Sequence, residues 1–136
     1  MQQLHLRDAG LDCDSLLEIC KGITDSMSLA HLDLKYNIFD KRGLAGLIKS
    51  LESNMSIKHL YLESMAIHMP EAKLLSTFLA KDECKIEELE LNEADIHIDA
   101  LDEIMGALYK ADHLVKLSLT KNELDETICD HLKFLP

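Results

Sequence analysis

Apolar residues fall along this chain in a fixed frame. The segments Met1-Gln2-Gln3-Leu4-His5-Leu6, Leu29-Ala30-His31-Leu32-Asp33-Leu34, Ile57-Lys58-His59-Leu60-Tyr61-Leu62, Ile86-Glu87-Glu88-Leu89-Glu90-Leu91 and Leu114-Val115-Lys116-Leu117-Ser118-Leu119 all read apolar-x-x-Leu-x-Leu. Their starts lie 28, 28, 29 and 28 residues apart. Ten positions after each start stands another apolar residue: Leu11, Phe39, Ile67, Ile96 and Leu124. With 47% of residues hydrophobic, agreement at all twenty positions arises by chance on the order of once in a million.

Two periodicities share each unit. Leu-x-Leu is the alternation of a short strand, with leucines on one face and the intervening residues on the other. The second half switches to helical spacing, as in Leu44, Leu47, Ile48 and Leu51, or Leu101, Ile104, Met105 and Leu108. Each unit is therefore predicted to run strand, turn, helix, return. Alone it exposes its leucines to water, so the units must stack, with their strands side by side and parallel. Residues 1–136 are read as one domain, with repeats starting near 1, 29, 57, 86 and 114.

The full frame, apolar-x-x-Leu-x-Leu-x-x-Asn-x-Leu in a 28- to 29-residue period, resembles the ribonuclease-inhibitor type of leucine-rich repeat. The resemblance covers essentially the whole chain. It implies a right-handed α/β solenoid of about five repeats, a horseshoe arc with parallel strands on the concave face and helices on the convex face. Repeats of that family place Asn or Cys three residues after the second strand leucine, where the side chain bonds backbone groups of the turn. Asn37 and Asn122 match, whereas Ala9, Met65 and Ala94 occupy the other three positions. Small residues expected near the helix starts are present as Ser15, Gly43 and Ala100.

Composition narrows the function. Twenty-five acidic against fourteen basic residues give a net charge of −11, which disfavours nucleic acid and anionic lipid as partners. Cys13, Cys20, Cys84 and Cys129 are dispersed, without the close pairs of a zinc site or a secreted disulfide scaffold, so buried free thiols are expected. No apolar run is long enough for a membrane span and the first residues lack a signal-peptide layout, which reads as a cytoplasmic or nuclear protein. Terminal units of a solenoid need capping. None is visible here, so the chain is expected to be a segment of a longer array or to have its ends covered by partners.

Alternation also assigns the solvent side of the strands. Its columns read His5, Asp33, Tyr61, Glu90 and Ser118, then Arg7, Lys35, Glu63, Asn92 and Thr120. They are flanked by Gln3, His31, His59, Glu88 and Lys116 and by Asp8, Tyr36, Ser64, Glu93 and Lys121. Acidic residues gather in the third and fourth repeats, between Lys35 and Lys58 on one side and Lys116 and Lys121 on the other. A partner protein with a basic or mixed-charge surface is the implied complement, and a merely solvated acidic face is the alternative. Tyr36 and Tyr61 are the aromatic anchor candidates. The partner-binding set is Asp33, Tyr36, Tyr61, Glu63, Glu88, Glu90 and Glu93. His31 and His59 share a column about 5 Å apart, which permits a metal or pH-sensing pair, with solvated histidines as the plainer reading. A metal would need further ligands. No metal, cofactor or catalytic constellation is expected, because the chain carries no Gly-rich phosphate loop or activated nucleophile.

A protein-interaction module is thus the leading expectation. The alternatives are a structural segment of a larger assembly and, by analogy with activators of small GTPases that carry similar repeats, a GTPase regulator. For the last, Arg42 in Asp40-Lys41-Arg42-Gly43 is the residue to test.

Overall fold

The structure, a computed structural model, describes residues 1–122. Strand and helix alternate: β1 (Gln3–His5), α1 (Cys13–Asp25), β2 (His31–Asp33), α2 (Lys41–Ser53), β3 (His59–Tyr61), α3 (Met69–Leu79), β4 (Glu88–Glu90), α4 (Ile98–Leu108) and β5 (Lys116–Ser118). The helix that the fifth unit is expected to form lies outside the described residues, as do Leu124 and Cys129. The strands form one parallel sheet in the order β1-β2-β3-β4-β5, so successive units lie side by side as in a solenoid. Helix contacts follow the same order, α1 on α2, α2 on α3 and α3 on α4.

The register is the one the sequence frame requires. Leu4, Leu32, Leu60, Leu89 and Leu117 stand opposite one another on neighbouring strands. Leu32, Leu60 and Leu89 are buried, whereas Leu4 and Leu117, with a described neighbour on one side only, are half-buried. Met1 departs from the frame. It is 76% exposed, because no described residue lies on the outer side of the first unit to cover it. The helical spacing is borne out at Leu44, Leu47, Ile48, Leu51, Leu101, Ile104 and Met105, all buried, while Leu108 is only half-buried.

Helix starts are set locally. The Asp12 carboxylate accepts the Ser15 amide at 2.8 Å, and Asp40 accepts the amides of Arg42 and Gly43 at 2.9 and 3.2 Å. Both satisfy donors that the first turn of a helix leaves open. α3 and α4 begin after His68 and His97 without a side-chain cap, and α3 carries Pro70 in its first turn, where a missing amide costs nothing. At Gly43 a Cβ would come within 3.1 Å of the Phe39 Cβ and 3.2 Å of the Cys13 Sγ, which explains the small residue there.

After each strand the backbone turns left-handed at the same frame position, at Asp8, Tyr36, Ser64, Glu93 and Lys121. None is glycine, so each stores strain on the order of 1 kcal/mol. What holds the first four is an inter-repeat bond: their amides donate to the carbonyls of Lys35, Glu63, Asn92 and Thr120 at 2.9 to 3.0 Å.

The turn asparagines serve two repeats each. Asn37, 2% exposed, donates from Nδ2 to the carbonyls of Leu34 in its own repeat and Leu6 in the preceding one, at 3.0 and 2.7 Å. Its Oδ1 accepts the amides of Ala9 and Leu11. Asn122 repeats this, bonding the carbonyls of Leu119 and Leu91 and the amides of Ala94 and Ile96. The turns holding Ala9 and Ala94 are therefore completed by the next repeat. In the turn of Met65, Ile67 donates instead to the Ala94 carbonyl at 2.8 Å.

At the other rim Asn54, 3% exposed, bonds the carbonyls of Ile23 and Ser26 and accepts the amides of Ser56 and Ile57. Cys20 and Cys84 are buried free thiols, their pKa raised by burial. Cys13 corrects the expectation of burial: it is half-buried and donates its thiol proton to Asp40 at 3.0 Å. Among the described residues no helix is long and apolar enough to cross a membrane.

Candidate functional site

The sheet face opposite the helices carries the columns read from the sequence. His5, Asp33, Tyr61, Glu90 and Ser118 lie in register, as do Gln3, His31, His59, Glu88 and Lys116. The left-handed residues make the surface wider than strand alternation alone allows. Consecutive residues such as Lys35 and Tyr36 both reach the same carboxylate, Glu63.

Lys35 is the centre of this surface. Its ammonium lies 3.1 Å from Glu63 and 2.5 Å from Glu90, and its side chain is only 15% exposed. Burial pulls its pKa down, but hydrogen bonds to Glu90 and Glu63 outweigh that and hold it above the ordinary value. The same ammonium stands 4.9 Å from the centre of the Tyr61 ring, and the Arg7 guanidinium 4.7 Å from that of Tyr36. Each tyrosine is thus already under a cation of the chain. The Tyr36 hydroxyl donates to Glu63 at 2.9 Å, which raises its pKa. Burial raises that of Tyr61, with Glu88 and Glu90 adding to the effect.

The acidic candidates are accordingly partnered. Lys116 bonds Glu88 and stands 3.7 Å from Glu90, Lys121 lies 2.6 Å from Glu93, and Lys58 lies 2.6 Å from Glu87. His59 Nδ1 is 3.1 Å from Glu88. Asp33 is 8% exposed and spends one oxygen on the Lys35 amide at 3.1 Å, so its work is within the face. The sequence reading placed lysines at the borders of an acidic patch. Parallel stacking puts a lysine one repeat away beside a glutamate, and the patch becomes an alternating network. Sequence reasoning left Lys35, Arg7 and Asn92 out of the site. Asn92 accepts the Ser118 hydroxyl at 2.7 Å and the Thr120 amide at 2.9 Å. The available signal was the register itself, which sets Lys35 in the column of Glu63 and next to that of Glu90. Arg42, the GTPase candidate, lies in the first turn of α2, its guanidinium 2.8 Å from Asp14.

Hydrogen bonds from Lys116 hold Glu88 below the ordinary carboxylate range; burial raises Glu63, but bonds from Tyr36 and Lys35 prevail and keep it low. A depressed carboxylate contributes stability that is complete above the unfolded value, about 4.5, and is lost as pH falls through the folded value. The urea midpoint is therefore expected to drop below about pH 4.5, and Glu88→Gln to flatten that drop. An identical acid limb in the variant would show that the pairing contributes nothing.

Among the described residues four strand–helix units and a fifth strand, their leucines turned inward and their polar strand positions outward, define an α/β leucine-repeat stack with one continuous side-chain face. The comparisons place it beside a known protein. The chain is 26% identical over 138 residues to NACHT, LRR and PYD domains-containing protein 3 of Rattus norvegicus, a match that takes in 98% of the chain and 13% of that relative's length. This supports a relationship of the leucine-rich-repeat type and points to a protein-interaction module. No family model matches the chain.

Proposed function

We propose that this chain is a non-catalytic protein-interaction module of the ribonuclease-inhibitor repeat type, acting in the cytoplasm or nucleus and gripping a partner protein on the concave, strand-lined face. The observation that carries the reading is the Lys35–Glu63–Glu90 network with Tyr36 and Tyr61. It is a half-buried, ordered array on a surface with no fold-stabilising apolar role. Side chains already fixed by one another lose little freedom when a partner arrives.

The partner's surface is of mixed charge. Glu63, Glu88, Glu90 and Glu93 each have a lysine of this chain beside them, so a purely basic partner would meet ammonium groups first. A partner with both signs can exchange pairs with the network. Tyr36 and Tyr61 supply contact area, and Asp33 holds the strand beneath them.

Capture of partners from lysate by the immobilised chain tests this. Glutamine at Glu63, Glu88 and Glu90 keeps size and removes charge, whereas lysine there would confront Lys35 and Lys116 and damage the face. The triple glutamine variant, folded by circular dichroism, is expected to lose about tenfold or more of the captured partner. Undiminished capture would refute the assignment.

A second reading, a structural segment packed end to end in a larger assembly, is favoured by Leu4, Leu6 and Leu11, which line the β1 edge half-buried. A stable, soluble monomer in light scattering would count against it.

A further inference from the structure

Three imidazoles touch across the first three strands. His5 and His31 have ring centroids 5.1 Å apart, and His31 and His59 are stacked at 5.8 Å with 28° between planes. Tyr61 meets His31 edge-on at 4.6 Å. The contacts are imposed by the ladder: His31 pairs with His59, and Gln3, two residues before His5, pairs with His31. Neighbouring parallel strands are held about 4.8 Å apart, so the backbone positions that carry the three rings stay close for as long as the strands are paired.

The outer rings each lie within ion-pair distance of a carboxylate. His5 Nδ1 is 3.7 Å from Asp33, and His59 Nδ1 is 3.1 Å from Glu88. Among the described residues no carboxylate lies within ion-pair distance of His31. The groups facing it are His5 from β1, Asp33 from its own strand, His59 and Tyr61 from β3, and Glu88 from β4. Burial, then His5 and His59, lower its pKa, against a smaller opposing effect of Asp33 and Glu88. Protonation in mild acid sets up to three like charges in ring contact, with Asp33, Glu88 and Glu87 to offset them, and Glu88 is shared with Lys116 and Glu87 with Lys58.

We propose that the His5–His31–His59 strip is a proton-operated release element of the strand face: neutral rings let β1, β2 and β3 close around Tyr61, and charging the strip loosens those strands. The loosening is a property of the free chain, whereas its role in release rests on the reading of the face as a binding surface. The sign follows from linkage. A histidine whose folded pKa is depressed contributes stability that is full above the unfolded value, about 6.5, and is lost as pH falls through the folded one.

The first arm of the test uses the free chain. Histidine Cε1–H resonances followed from pH 8 to pH 5 are expected to show His31 titrating below the ordinary imidazole range, and moving part of the way back to it in the His5→Gln, His59→Gln double variant, where burial still acts. Amide exchange, corrected for its intrinsic pH dependence, is expected to accelerate about tenfold at pH 5.5 relative to pH 7.5 at the β1–β2–β3 amides. Those amides are His31, Leu34 and His59, which bond Gln2, Tyr61 and Ala30. Leu91, which bonds Ser118, is expected not to change in this way. His31→Phe keeps a ring in the stack and is expected to abolish the acceleration; His31→Gln serves if it does not fold. Ordinary titration of His31, or acceleration shared equally with Leu91 or retained in the variant, would overturn the proposal.

The second arm elutes partners captured at pH 7.5 with buffer at pH 5.5. Release from the wild type and retention on His31→Phe support the proposal, and equal elution from both overturns the release role. Failure to capture anything at pH 7.5 sinks the binding reading and the release role with it, while the first arm still decides the loosening.

Discussion

Asn37→Ala is expected to lower the unfolding free energy by about 3 kcal/mol, because the side chain completes two turns at once. Its Oδ1 accepts the amides of Ala9 and Leu11, and its Nδ2 donates to the carbonyls of Leu6 and Leu34. Alanine leaves four polar backbone groups without these partners, and those nearest the core are out of reach of water. Each buried unsatisfied group costs about 1 to 3 kcal/mol, and hydration of the exposed Ala9 amide leaves three such groups, with a total at the bottom of their summed range. Against a total stability of roughly 5 to 15 kcal/mol this is a large fraction. Urea unfolding measures it. Asn37→Asp gives an independent reading: the carboxylate still accepts two amides but turns a charged oxygen towards two carbonyls. It is expected to be at least as damaging at pH 7 and to recover partly in acid, where the protonated carboxyl donates. A midpoint indistinguishable from the wild type in both variants would mean that the turns do not depend on Asn37.

Leu60→Ala is expected to cost about 3 to 4 kcal/mol. Leu60 is 1% exposed, on the middle strand, with Leu32 and Leu89 in register on either side. The parallel ladder fixes those strands, so the cavity cannot collapse, and the loss combines the transfer of the removed methyl groups with the empty volume. Leu4→Ala, at the half-buried edge position of the same column, is expected to cost about 1 kcal/mol. The gradient is the signature of a stack stabilised by nearest neighbours. Equal costs at the two positions would contradict it.

The strand frame and the buried helix faces were legible because burial in a stack repeats. A residue that faces the neighbour in one unit faces it in the next, so the core is written at a fixed interval and Leu32, Leu60 and Leu89 can be read off. Met1 shows the limit of the rule, for it satisfies the frame and still lies in solvent. Asn54 was missed because it belongs to the return between helix and strand, where no frame residue marks it. Its hint was an amide side chain three residues before Ile57.

For the site, the same alternation listed the residues of the strand face and left their pairing open. Lys35 and Glu63 are far apart in the chain and look like separate features of a charge map. Only the registers of β2 against β3 and of β3 against β4 bring the ammonium to 3.1 Å from that carboxylate and 2.5 Å from Glu90. Likewise His5, His31 and His59 are three scattered imidazoles until the parallel ladder sets their rings in contact.

The sequence by itself determined the alternation of strand and helix, the leucines that fill the interior and the membership of each surface column. These depend on whether a residue meets apolar or aqueous surroundings, and a periodic chain answers that locally. Tertiary structure alone decided that Asn37 and Asn122 complete the turns before their own, that Cys13 bonds Asp40, and that the acidic patch is an alternating network around Lys35. Each is an interaction of angstrom range between residues one or two repeats apart, and its existence depends on the register of neighbouring strands.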